Sequence, residues 1–301
     1  MSNIRIGLIG GTGLGDALGA NESAGKRETI EIDTPFGKPS SPIVKTNWQG
    51  VEVCILQRHG PGHVLNPSSV PYRANIFAMK SLGVTHIVAS GATGSLREHI
   101  HPGDLVIVDQ IIDKTNKRAN TFYEGAAVHV EFAEPFCPVM RKWLLDAASR
   151  LSADSPSTST THATGCYICM EGPTFSTRAE SYMHRSESWG GDLIGMTVMP
   201  EAKLAREAEI AYALIALPTD YDCWKPHEGN AQDLLSEIIG NLKKATDAGI
   251  ALIKAALSDV SLLKLQRSPA HDALKLAIWS DKKLIDASEI ERLRVLWGRY
   301  F

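Results

Sequence analysis

What most constrains this chain is an alternation. Short apolar runs rich in β-branched residues are each followed by small or polar residues, and helical patterns separate many of them. The runs cover 4–10, 28–32, 51–56, 85–90, 104–108 and 210–217. Several are apolar throughout, as strands covered on both faces are. Between them, 71–82 reads as a helix with Pro71 in its first turn and Gly83 just past its end. Thr177 and Glu180 have capping-box spacing for a helix through Trp189, and Pro200 can start another. Asn230 caps a long stretch to Leu257 with Leu234, Leu235, Ile238 and Leu242 at helical spacing. The pattern predicts an α/β fold, with one catalytic domain over 1–258 and a C-terminal helical appendage over 259–301.

Composition removes several classes of function. With 301 residues, 44% of them hydrophobic, the chain can bury a substantial core. Its formal charge of -3 supplies no basic field, so nucleic acid is not an expected partner. The longest apolar runs, such as 210–217, fall far short of bilayer length, and the start MSNIRIGLIGGTG lacks a signal-type apolar region. A cytoplasmic protein without a membrane partner is expected. Five cysteines in a long chain suit reduced thiols. Cys166 and Cys169 form C-x-x-C inside an apolar strand-like segment, and no second pair completes a zinc site, so no metal is expected.

Six segments carry possible chemistry. Gly7–Gly15 follows the first strand, where glycines let backbone N–H groups approach an anion and Thr12 adds a hydroxyl; a plain tight turn fits equally. A dinucleotide site is disfavoured because Asp16 stands where the third fingerprint glycine is due. Gln57–His63 places Arg58 beside His59, either donors to phosphate oxygens or a solvated loop cluster. Ser90–Glu98 reads as a small-residue loop at a strand's end, where open α/β sheets gather ligands. Met170–Glu180 turns from strand to capped helix, and Gly195–Glu201 is the fifth segment. In the sixth, Thr219–Trp224, Asp220 and Asp222 lie on one side if the segment is extended; a solvated Asx turn is the alternative.

Taken in order, GGTGL, DTPFGKPS, RHGPGH, ATGSL, EGPTFSTRAE, MTVMPE and TDYDCW resemble the trimeric purine nucleoside phosphorylase family, in its 5′-methylthioadenosine phosphorylase branch, over about 4–257. The resemblance implies a twisted, mixed, barrel-like sheet flanked by helices, a homotrimer, and inorganic phosphate as co-substrate with no cofactor. It also implies that Thr12, Arg58, His59, Gly91, Ala92 and Thr197 cradle phosphate and that Met196 lies under the ribose. Phe175, Ser176, Asp220 and Asp222 then surround the base, and His63, His129 and Leu235 border the 5′ substituent. Members acting on 6-oxopurines place Glu and Asn where this chain has Ser176 and Asp220, so a 6-aminopurine is implied. Gly91 departs from the pattern, since methylthioadenosine enzymes often carry a hydroxyl residue there; Thr93 is the candidate to replace that donor.

The implied reaction is phosphorolysis of a methylthioadenosine-like nucleoside, with Asp220 protonating the departing base. The nearest rival is a phosphorylase for adenosine or 6-oxopurine nucleosides. An NAD-binding oxidoreductase and a catalytically silent nucleoside-binding protein rank behind it.

Overall fold

The computed structural model describes residues 4–11, 27–154, 159–227 and 229–301. Residues 12–15 of the Gly7–Gly15 segment, Thr12 among them, and the middle of the Ser/Thr-rich stretch at 152–160 lie outside the described residues. The strands are β1 (Arg5–Gly10), β2 (Glu28–Ile30), β3 (Ile43–Trp48), β4 (Val51–Gln57), β5 (His86–Ser95), β6 (Leu105–Ile107), β7 (Gln110–Asp113), β8 (Thr161–His162), β9 (Cys166–Cys169), β10 (Leu193–Gly195) and β11 (Ala211–Asp220). Around them lie α1 (Tyr72–Ser81), α2 (Pro138–Asp154), α3 (Arg178–Arg185), α4 (Val198–Glu207) and α5 (Ala231–Leu257). Three short helices follow: α6 (Ser261–Leu265), α7 (Ala287–Arg292) and α8 (Arg294–Trp297).

One mixed sheet joins all these strands and branches at β5. On one side β5 runs parallel to β1, which continues through β4 and β3 to β2. On the other it pairs parallel with β11, then β6 and β8. At its far end it pairs antiparallel with β10, which leads to β9 and β7. Only residues 108–109 separate β6 from β7, so the β11 and β10 limbs curl into one another and close a barrel-like ring. This is the twisted mixed architecture that the motifs imply.

Local chemistry explains most element ends. Helix α1 stops where Gly83 adopts φ 75°, a conformation glycine takes without steric cost. Helix α3 opens on a complete capping box, Thr177 accepting from the Glu180 N–H and Glu180 from the Thr177 N–H. It ends at Arg185 rather than Trp189, because Ser186 turns extended and bonds back to the Met183 carbonyl. Strand β3, helix α2 and the short strands β7 and β10 go beyond the sequence reading. Both residues of the β3–β4 turn, Gln49 and Gly50, have positive φ (51° and 84°), as a tight hairpin requires.

Ser90–Ser95 is not a loop. It is the second half of β5, and Ala92 is exposed in the middle of this central strand. The reason is the branch: β1 covers one edge of β5 only over His86–Ala89, and β10 covers it only from Gly94. Ser90–Thr93 therefore have β11 on one edge and, among the described residues, no strand on the other.

Two large apolar clusters lie on the sheet's faces, one including Ile9, Leu56 and Tyr212, the other Leu8, Trp143 and Leu252. The 259–301 tail adds Val260 and Leu263 to the second and its later residues to the first. Leu274, Ile285, Leu293 and Trp297 are buried in it, and Trp297 stacks on Tyr123 with ring centroids 4.7 Å apart.

Burial also sets a pH dependence. His86, at the start of β5, is buried with its Nε2 unpartnered among the described residues, and burial, then nearby His271, pushes its pKa down from 6.5 to about 3. Between those values the unfolded chain binds more protons than the folded one, so stability is lost as pH falls through that window. Denaturant unfolding across the window should show this loss, and His86→Phe should flatten it. An unchanged slope in the variant would assign the loss to other groups.

Candidate active site

The open edge of β5 faces a cleft of about 360 Å³ formed where β1, β4, β5, β10 and β11 end. Arg58, the first residue after β4, is wholly buried there. Its Nε and Nη2 donate to the Glu201 carboxylate at 2.7 and 2.8 Å, and Nη1 donates to the Ser90 carbonyl at 2.7 Å. The Tyr212 hydroxyl donates to the same carboxylate at 2.8 Å. Burial works against the charge, but the Glu201 carboxylate outweighs it and holds Arg58 above its ordinary range. Two of the five guanidinium N–H groups remain for an anion in the cleft.

Beside Arg58, the His59 Nδ1 lies 2.8 Å from the Leu65 carbonyl, and the ring stacks on His63 at 4.3 Å. A carbonyl only accepts, so Nδ1 carries the proton and a neutral His59 keeps Nε2 as an acceptor. Burial, then the Arg58 charge, pushes its pKa down to about 4. A phosphate oxygen is thus well matched to Nε2 only when a proton sits between them. Thr197 precedes α4 with no capping bond of its own and lines the cleft. A Cβ on Gly91 would stand 3.3 Å from Thr197 Oγ1, so a larger residue at 91 would crowd this corner. Thr93 also lines the cleft, and its buried Oγ1 has no hydrogen-bond partner among the described residues.

The opposite end of the cleft is acidic. Asp220 ends β11, accepting from the Thr219 hydroxyl and the Asp222 N–H, both at 2.7 Å. Burial dominates and raises its carboxyl above the ordinary range. Asp222 is not extended but sits in a turn at φ 52°, so the same-side argument does not describe the pair. Both still line the cleft, and Asp222 Oδ2 is buried without a hydrogen-bond partner among the described residues. Phe175 is 81% exposed at its margin, and Ser176 and Met196 also line it.

Arg58, His59, His63, Gly91, Ala92, Phe175, Ser176, Met196, Thr197, Asp220 and Asp222 thus share one cleft. Two expected residues do not. His129 is exposed and packs against Trp279, with ring centroids 4.7 Å apart. Leu235 is 57% exposed, whereas Ile238 and Leu242, further along the same stripe of α5, line the cleft. The α5 axis carries the start of the stripe past the cleft wall.

Two supporting residues were missed by sequence reasoning. Glu201 lies 143 positions from Arg58, and nothing local marks it as that residue's partner. Arg118, with a 1% exposed side chain, donates to the Met196 carbonyl at 2.6 Å and to the Met199 and Glu171 carbonyls at 2.5 Å. It braces the 171–176 segment against the 196–199 segment.

Against known families, residues 5–258 match the model of the phosphorylase superfamily, and the chain belongs to that superfamily. An S-methyl-5′-thioadenosine phosphorylase of Geobacter sulfurreducens is 46% identical over 98% of both chains. One from Xenopus tropicalis is 45% identical over 91% of this chain and 97% of its own. Among solved structures, a methylthioadenosine phosphorylase from an antarctic soil metagenomic library superposes with TM-score 0.88 at 44% identity, covering 98% of this chain and 99% of its own. Within the superfamily, the chain is a member of the S-methyl-5′-thioadenosine phosphorylase branch.

The ion pair gives a stability test. Glu201→Gln leaves the Arg58 charge buried without its counter-ion and should cost about 3–5 kcal/mol in urea unfolding. Adding Arg58→Met to that variant should recover part of the loss. Independent, additive losses would mean the two side chains do not act as a pair.

Proposed function

We propose that this protein cleaves S-methyl-5′-thioadenosine with inorganic phosphate, releasing adenine and 5-methylthioribose 1-phosphate. The observation that carries the reading is the polarity of the cleft, with a buried guanidinium and a strand edge open to the cleft at one end and, at the other, an aspartate whose carboxyl burial holds above its ordinary range. Phosphate binds between Arg58, His59, the Gly91–Ala92 backbone and Thr197, with the Thr93 hydroxyl as a further donor. As the glycosidic bond lengthens, positive charge grows on the ribose and negative charge on the base. The phosphate meets the first, and protonated Asp220 donates to the second. Asp222 suits a 6-aminopurine because its oxygens can accept from the amino group, and Ser176 puts no acceptor charge against an N1 that carries no proton.

Phosphate serves as co-substrate and no metal or organic cofactor takes part. The enzyme works in the cytoplasm, in salvage of purine and methionine precursors. It works as a homotrimer, in which His129, exposed beside Trp279 and the 85% exposed Leu276, faces a neighbouring copy's cleft near the 5′ substituent. Adenosine is the second reading. A Schistosoma mansoni relative, 37% identical over 88% of this chain and 93% of its own with TM-score 0.76, is an adenosine/methylthioadenosine phosphorylase solved with methylthioadenosine.

Incubation with methylthioadenosine, with and without phosphate, tests the reaction. Adenine and the sugar 1-phosphate should appear only with phosphate; equal adenine release without it would make the protein a hydrolase.

Base reading gives the sharper test. Asp220→Asn should lower kcat with adenine nucleosides strongly, because an amide cannot deliver the proton. Ser176→Glu with Asp220→Asn should move relative kcat/KM toward inosine, each mismatched buried pair costing about 1–3 kcal/mol. Near-normal adenine release by folded Asp220→Asn would remove Asp220 as the acid.

A further inference from the structure

A second cavity, of about 590 Å³, lies at the opposite ends of β5 and β11 from the cleft, between Thr85, Glu209, His271 and α8. Its lining sets four basic side chains, Lys80, Arg267, Arg294 and Arg299, against one acid, Glu209. That local excess stands in a chain of net charge -3. Glu209 is already committed, accepting from the Leu274 N–H and the Tyr300 hydroxyl and pairing with Arg299 at 2.6 Å. Arg267 and Arg294 hold only exposed partners, Asp272 at 2.7 Å and Glu291 at 2.9 Å, and such pairs contribute little and exchange easily. The Lys80 ammonium, at the end of α1, has no ion pair among the described residues, and burial disfavours its charge.

Lys80 and Arg267 both act on His271, whose Nε2 lies 3.0 Å from the Thr85 carbonyl. Burial comes first in holding this imidazole below its ordinary range, and the two cations add to it. His271 packs edge-on against His86, whose buried Nε2 lacks a partner among the described residues. Nothing in phosphorolysis as derived above uses any of these groups.

We propose that this cavity binds a phosphorylated small molecule, with phosphate oxygens between Lys80 and Arg267 and the apolar part of the ligand against Val295 and Leu296. An anion here relieves the mutual repulsion of the cations and gives the Lys80 ammonium a direct partner beside the longer-range attraction of Glu209. The concave, localised shape fits a compact ligand, whereas a nucleic-acid strand requires a continuous basic track.

The test is calorimetric titration of the full chain with tripolyphosphate and, separately, with ATP, using wild type and the Lys80→Gln/Arg267→Gln variant. Both anions should bind wild type in a salt-dependent way and bind the variant roughly tenfold or more weakly. Methylthioadenosine cleavage at saturating inorganic phosphate, without tripolyphosphate or ATP, should be unchanged, and circular dichroism should show the variant folded. Tighter binding of ATP than of tripolyphosphate assigns Val295 and Leu296 to a nucleoside moiety; equal binding assigns recognition to the phosphates alone. The proposal is overturned if neither anion binds or if the folded variant binds them undiminished. It is also overturned if light scattering shows that the substitutions dissociate an oligomer while anion binding is absent, since the cavity then belongs to a contact between copies.

Discussion

A guanidinium sealed from water survives only with its charge and its N–H groups answered, and around Arg58 that requirement organises the centre of the molecule. Glu201 answers the charge through two bonds, and the Ser90 carbonyl takes a third N–H. Through these contacts the end of β4, the first turns of α4 and the midpoint of β5 are held in one arrangement, and Tyr212 adds β11. Elements far apart in sequence converge because one buried cation needs all of them. The same requirement places positive charge at the one stretch of β5 whose backbone is open on one edge.

The rest of the cleft is placed by continuity rather than by charge. Met170 follows β9, Thr197 follows β10 and Asp220 ends β11, so three walls are strand ends whose positions the ring of paired strands fixes. Arg118 then ties the more exposed 171–176 segment to the backbone at 196 and 199. A cleft built this way presents donors at one end and, at the other, a carboxyl that burial raises above its ordinary range.

How much of this was legible in the sequence follows from range. Apolar runs and caps are local signals, and they located β1, β4, β11, α1 and α5. The ordered motifs located most cleft residues because the family joins them in space. Ser90–Ser95 misled because glycine, alanine and serine look like a loop, whereas here small residues lie in a strand with one edge kept open. Asp222 misled because residue spacing cannot foresee a left-handed turn immediately after a strand. Glu201 and Arg118 act over 143 and up to 81 positions, beyond any local pattern. His129 misled because the motif placed it by likeness, whereas here it packs on Trp279 of the tail, away from the cleft.

The one-sided pairing of Ser90–Thr93 has a further consequence. Among the described residues no strand continues that edge beyond the Arg58 bond to the Ser90 carbonyl, so an anion seated in the cleft would take the place of a neighbour in the sheet. Ligand and fold are then thermodynamically linked, and each increment of occupancy adds to the free energy of unfolding as the logarithm of one plus ligand concentration over Kd. Starved of phosphate, the enzyme would be more than idle; it would be a less stable protein, with its cellular abundance coupled to the supply of the substrate that completes its central strand.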